Sequence, residues 1–93
     1  MSKRMAGPVL RGSEVAVAVV EAIRADNPEK DVLVADHGAY LRVEAENGLI
    51  VKRDSVEAAL GRSFEMQEIE VHLAGFSGKI EVTEEYVRWF FKS

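Results

Sequence analysis

The stretch Tyr40-Leu41-Arg42-Val43-Glu44-Ala45-Glu46-Asn47-Gly48-Leu49-Ile50-Val51-Lys52 decides the fold. Leu41, Val43 and Ala45 alternate with Tyr40, Arg42, Glu44 and Glu46, the period of a strand with one face in a core and one in water. Asn47-Gly48 is a two-residue turn signal, because type I′ geometry needs positive φ at both positions. Leu49 to Lys52 then reads as the returning strand. Just upstream, Val32 to Asp36 reads as another strand, joined to Tyr40 by a turn at His37-Gly38. The centre of the chain is an antiparallel meander.

Helices flank it. Ser13 can cap a helix through its hydroxyl, with Glu14 well placed against the helix dipole. Val15, Ala18, Val19, Ala22 and Ile23 form its apolar stripe. Asp26-Asn27-Pro28 ends it, since the residue before proline is pushed away from helical geometry. Beyond the meander, Asp54 with Glu57 reads as a capping box, Val56, Ala59 and Leu60 as a buried side, and Gly61 as a left-handed cap. Ile69, Val71 and Leu73 alternate like a half-buried strand. Residues 74–78 read as a glycine-flanked loop, Ile80 and Val82 as a strand, and Tyr86 to Phe91 as the last one.

Upstream, Val9 to Arg11 forms a brief first strand after a short flexible arm over residues 1–6. The expected order is β-α-β-β-β-α-β-β-β, containing two β-α-β passages. Segregated hairpins and few helices make this an α+β domain over residues 7–93.

Composition narrows the function. A net charge of −4 with scattered Lys and Arg argues against broad nucleic-acid binding, which requires clustered cations. The absence of cysteine removes disulfides, thiolate metal sites and a Cys nucleophile. The most apolar run, Val15 to Val20, is too short to span a bilayer, and charges at Arg11 and Glu14 interrupt any leader-like stretch. The expectation is a cytoplasmic protein with no membrane and no nucleic-acid partner.

Catalytic chemistry is also missing. The residues three before His37 and His72 are Val34 and Ile69, so neither histidine belongs to the Glu-x-x-His pair of a carboxylate-bridged metal site. His-x-His and His-Glu-x-x-His spacings are absent. Glu68 and Glu70 lie opposite the apolar positions of their expected strand, as solvated charges do. No serine sits in a Gly-x-Ser-x-Gly elbow. The reading is a protein with no metal, no cofactor and no catalytic residue.

What remains are apolar residues in places that need not be buried. Val17 falls between Glu14 and Glu21, away from the helix stripe. Phe76 sits at the tip of the glycine-flanked loop, where an aromatic can reshape against a partner. Its folding back onto the core is the competing reading.

Gly7-Pro8-Val9-Leu10-Arg11, Asp26-Asn27-Pro28, residues 36–43, Leu60-Gly61-Arg62-Ser63-Phe64 and Phe76-Ser77-Gly78, in this order and spacing, resemble the effector proteins of bacterial multicomponent diiron monooxygenases. The similarity is greatest to effectors of toluene, aromatic and alkene monooxygenases. It implies a non-catalytic regulatory subunit that docks on a diiron hydroxylase and tunes active-site geometry, substrate access and coupling of oxygen activation. It implies that Ala74, Gly75, Phe76, Ser77 and Gly78 face the hydroxylase, with contacts added by Val17 on the first helix and by Tyr40 and Arg42. The alternative is a small-molecule-binding regulatory βαβ module.

Overall fold

The computed structural model describes residues 4–91. Among the described residues, seven strands form two antiparallel sheets. The first contains β1 (Met5–Arg11), β2 (Leu33–Asp36), β3 (Tyr40–Glu46) and β5 (Leu73–Ser77) in the order β2-β3-β1-β5. The second contains β4 (Gly48–Lys52), β6 (Lys79–Val82) and β7 (Tyr86–Phe90) in the order β4-β7-β6. β1 and β3 of the first sheet lie against β4 of the second, and β1 also meets β7.

Helix α1 (Glu14–Asp26) starts as its sequence dictates: the Ala16 amide donates to Ser13 Oγ at 3.1 Å. Its expected stripe, Val15, Ala18, Val19, Ala22 and Ile23, is buried. The helix packs against β4 and against α2 (Arg53–Leu60). Between them the elements enclose a core built on Trp89, Phe64, Leu10, Ile23, Met66 and Ile69. Burial of such side chains is the main force holding the sheets and helices together.

The architecture is α+β, and the order of the main elements is the one expected. Three local readings change. Asn47 and Gly48 do take positive φ, 65° and 102°. Yet β3 and β4 are not hydrogen-bonded partners: the pair is a corner where the chain leaves one sheet for the other. Gly48 is required there for closeness as well as for φ, since a Cβ would lie 2.0 Å from the Trp89 carbonyl oxygen.

The strand expected over residues 68–73 is a helical turn, α3 (Ile69–His72), which follows a 3₁₀ turn at Met66–Glu68. Met66 and Ile69 are buried and Leu73 half-buried, a spacing of three then four that fits a helix. Val71 points to water, 72% exposed. The loop expected over residues 74–78 is largely strand β5, which pairs with Gly7–Leu10 of β1.

Smaller differences have simple causes. Helix α2 begins at Arg53 with no side-chain cap, so Asp54 lies inside its first turn. The Glu57 carboxylate instead accepts from the Phe64 amide at 2.8 Å, fastening the segment after Gly61 back onto the helix. Ala59 is exposed while Val56 carries the buried side. Of the flexible arm expected over residues 1–6, Met5 and Ala6 are instead strand, pairing with Glu46 and Ala45 in the sheet; residues 1–3 lie outside the described residues.

Candidate functional site

β1 runs through the middle of the first sheet, with β3 on one side and β5 on the other. The registers set Arg42 opposite Val9, and Val9 opposite Gly75. Directly opposed residues share a face of the sheet. Arg42, Val9 and Gly75 therefore form one row across three strands, on the face turned away from Val43, Ala45 and the core. Tyr40, opposite Arg11, is on the same face and 44% exposed.

Phe76 sits opposite Pro8, a buried position, so it belongs to the other face. Because β5 is an edge strand, its ring is only partly covered and remains 45% exposed. The register slips between Val9 and Leu10, which bends β5 relative to β1 at this point. Val9, Tyr40, Arg42, Ala74, Gly75, Phe76 and Ser77 line a shallow depression of about 430 Å³. Its rim is aromatic and cationic, and among the described residues Arg42 makes no ion pair.

Six of the eight expected contact residues thus meet, although 31 positions separate Arg42 from Leu73 at the start of β5 and β1 lies between their strands. Two do not. Val17 projects from α1, 58% exposed, and does not line this depression. Gly78 marks the step from β5 to β6: at φ +87° a Cβ there would sit 2.7 Å from the Phe90 carbonyl oxygen and 2.9 Å from the Ala6 Cβ. Its closeness joins the two sheets.

Val9 was not singled out from the sequence, though it lies at the centre of the row. Its burial depends on how far β3 and β5 cover it, which no local pattern records. A second depression, of about 470 Å³, lies on the same sheet around Met5, Leu33, Glu44 and Glu46, with Glu29 and Asp31 beside it. The outward alternation of Glu44 and Glu46 in the sequence was its only visible sign.

The second sheet carries a polar cluster of its own. Glu81 accepts from the Tyr86 hydroxyl at 3.0 Å and from Arg88 Nε, and the Arg88 guanidinium lies 4.2 Å from the centroid of the Phe90 ring. The Arg88 hydrogen bond, then that of Tyr86, holds the Glu81 carboxyl below its usual range. The same bond from Glu81 pushes the Tyr86 phenol up.

His37 lies in the β2–β3 turn and His72 at the end of α3. Among the described residues no group of three or more His, Cys, Asp or Glu is placed to hold a metal ion, and no helix is long and apolar enough to cross a membrane.

Residues 4–90 match the family described as MmoB/DmpM. The chain is 39% identical over 93 residues to the alkene monooxygenase system effector subunit of Xanthobacter autotrophicus (strain ATCC BAA-1158 / Py2), covering all of this chain and 92% of that protein. It is 41% identical over 63 residues to the stimulatory component DmpM of phenol 2-monooxygenase from Pseudomonas sp. (strain CF600), covering 68% of each. The solved structures that share the fold include these. A chain in a phenol hydroxylase–regulatory protein complex superposes with a TM-score of 0.83 at 23% identity, over 95% of this chain and 99% of that one. The soluble methane monooxygenase regulatory protein B does so with a TM-score of 0.71 at 20% identity, over 99% of this chain and 68% of that one.

Proposed function

The chain belongs to the MmoB/DmpM family, and from that premise we propose how it acts as the effector subunit of a multicomponent monooxygenase. It is a regulatory component and not the catalyst. Its partner is the hydroxylase component, a diiron enzyme in this reading, and the two meet in the cytoplasm. The working unit is a single effector domain that begins with β1.

Docking uses the depression bordered by Tyr40, Arg42 and Ala74–Ser77. The observation that carries this is the convergence of those residues, from strands far apart in the chain, on one uncovered patch of the first sheet. Tyr and Arg are the side chains that most often dominate binding energy at interfaces. Phe76 at the strand edge adds an apolar surface that water leaves on contact.

The effector then works by linkage. If it binds one hydroxylase conformation better than another, it shifts the population towards that conformation, by no more than the difference in its two affinities. A differential of about 1–3 kcal/mol changes the ratio roughly 5- to 150-fold. This is enough to alter active-site geometry, substrate access and the coupling of oxygen activation with no catalytic group on the effector.

The test is steady-state turnover and product formed per reductant consumed, with the cognate hydroxylase and electron-transfer components, across a range of effector concentrations. Turnover and coupling should rise and saturate. Arg42→Ala should move the half-saturation point to higher concentration while circular dichroism of the free protein stays unchanged. Equal half-saturation for parent and variant would remove Arg42 and its depression from the docking surface.

A further inference from the structure

Strand β4 lies at an edge of its sheet, with β7 on one side only. An edge strand turns the backbone N–H and C=O of alternate residues outwards, where another chain can pair with them. On β4 those residues are Gly48, Ile50 and Lys52, and four of their outward groups are already engaged. The Ile50 amide donates to Asn27 Oδ1 at 3.1 Å, and Asn27 Nδ2 donates to the Ile50 carbonyl at 2.6 Å. The Lys52 amide donates to Asp26 Oδ2 at 2.7 Å, and Lys30 Nζ donates to the Gly48 carbonyl.

These bonds follow the ladder of an added strand, but side chains from the end of α1 make them. Asn27 is buried, and its second amide hydrogen goes to the Ile23 carbonyl at 2.7 Å, so its hydrogen-bonding groups are all used between the helix and the strand. Asp26 is held in place by the Ser55 hydroxyl, which donates to its Oδ1 at 2.6 Å.

The edge so covered is self-complementary. An antiparallel pair of two β4 strands centred on Ile50 sets Ile50 against Ile50, Leu49 against Val51 and Gly48 against Lys52. No like charges oppose one another, and the facing side chains between the ends are β-branched or aliphatic. That pairing uses the N–H and C=O of Gly48, Ile50 and Lys52. Four of those six groups, the Ile50 N–H and C=O, the Lys52 N–H and the Gly48 C=O, are the ones that Asp26, Asn27 and Lys30 occupy.

We propose that Asp26, Asn27 and Lys30 form a surrogate strand that blocks β4 from pairing with the β4 of a second copy of this chain. The contact is autoinhibitory for self-association and is separate from the docking surface, which lies on the other sheet.

Amide exchange and sedimentation test it. In the parent protein the Ile50 and Lys52 amides should be protected and the protein monomeric. In the Asp26→Ala/Asn27→Ala double variant, dilute protein should exchange the Ile50 and Lys52 amides at least about tenfold faster, which corresponds to about 1.4 kcal/mol of lost protection. Val51 should keep its protection. Raising the concentration should produce a dimer in which the Ile50 and Lys52 amides are protected again. A double variant that is folded and monomeric at all concentrations overturns the proposal, as do unprotected Ile50 and Lys52 amides in the parent. If the double variant does not fold, Asp26→Ala with Lys30→Met leaves the Asn27 bonds intact and is judged on the Lys52 amide, which should exchange at least about tenfold faster than in the parent; unchanged Lys52 protection overturns the proposal.

Discussion

Asn27 shows what a single side chain contributes here. In the sequence it is the residue before a proline, and that explains the end of α1. In the structure its amide also spans helix and strand, a role that depends on Ile50 standing 23 positions later. Gly48 is similar: its φ was legible from the Asn-Gly pair, and its closeness to Trp89 was not. Gly48→Ala should cost about 3 kcal/mol or more, because strained φ and a backbone overlap act together. Urea denaturation of parent and variant measures this. Phe76 stands between core and interface, half exposed at the strand edge. Phe76→Ala should lower the stability of the free protein by well under the roughly 3–5 kcal/mol lost at a buried phenylalanine. As an anchor in the interface it should cost about 2 kcal/mol or more of hydroxylase binding. Thermal melts of the free variant, set beside its binding titration, compare the two.

At the scale of elements, the segment before β5 is the instructive one. Ile69, Val71 and Leu73 alternate, but Met66, Ile69 and Leu73 also have helical spacing, and short apolar runs satisfy both periods. Burial of Met66 and Ile69 against the core selects the helical turn and leaves Val71 outside. Val71→Asp should therefore leave stability within about 0.5 kcal/mol of the parent, whereas Ile69→Ala should cost about 2–5 kcal/mol. A half-buried strand would lose heavily from both, so chemical denaturation distinguishes the two arrangements. The β6–β7 pair makes a pH prediction. The folded Glu81 carboxyl lies below its usual value, so its bonds to Arg88 and Tyr86 stabilise the fold above the unfolded pKa. That contribution disappears as pH falls through the folded value. Tyr86 has the opposite sign: its raised value gives stability present below the unfolded phenol pKa and lost as pH rises through the folded one. Glu81→Gln should flatten both the acid and the alkaline limb of the stability–pH curve, by small amounts because the cluster is open to water. Thermal melts across the pH range would show it.

For the molecule as a whole, the proposed docking face and the closed β4 edge fall on different sheets. One sheet presents its outer face with Tyr40, Arg42 and the β5 edge, and the other carries the closed edge of β4. The sequence by itself determined the α+β class, the order of elements from β1 to α2 and the last two strands, both helix ends at Ser13 and Gly61, and the membership that the quoted motifs pointed to. These follow from contacts within a turn or two of chain, such as the Ser13 cap and the left-handed Gly61, and from hydrophobic periods that report which side of an element is buried. The β2–β3 pair was legible from the His37-Gly38 turn, but tertiary structure alone decided the partners of β1, β4 and β5. Residues 74–77 look like a loop because glycine and small residues give them little strand preference. They become β5 because β1 offers a free row of backbone groups, and unpaired backbone beside a core is costly. Asn47-Gly48 likewise supplied the turn but not its outcome, since the partner of β4 is β7, at the far end of the chain. The same long-range pairing brings Arg42 beside Gly75, a proximity set by β1 lying between them and carried by no local pattern in the sequence.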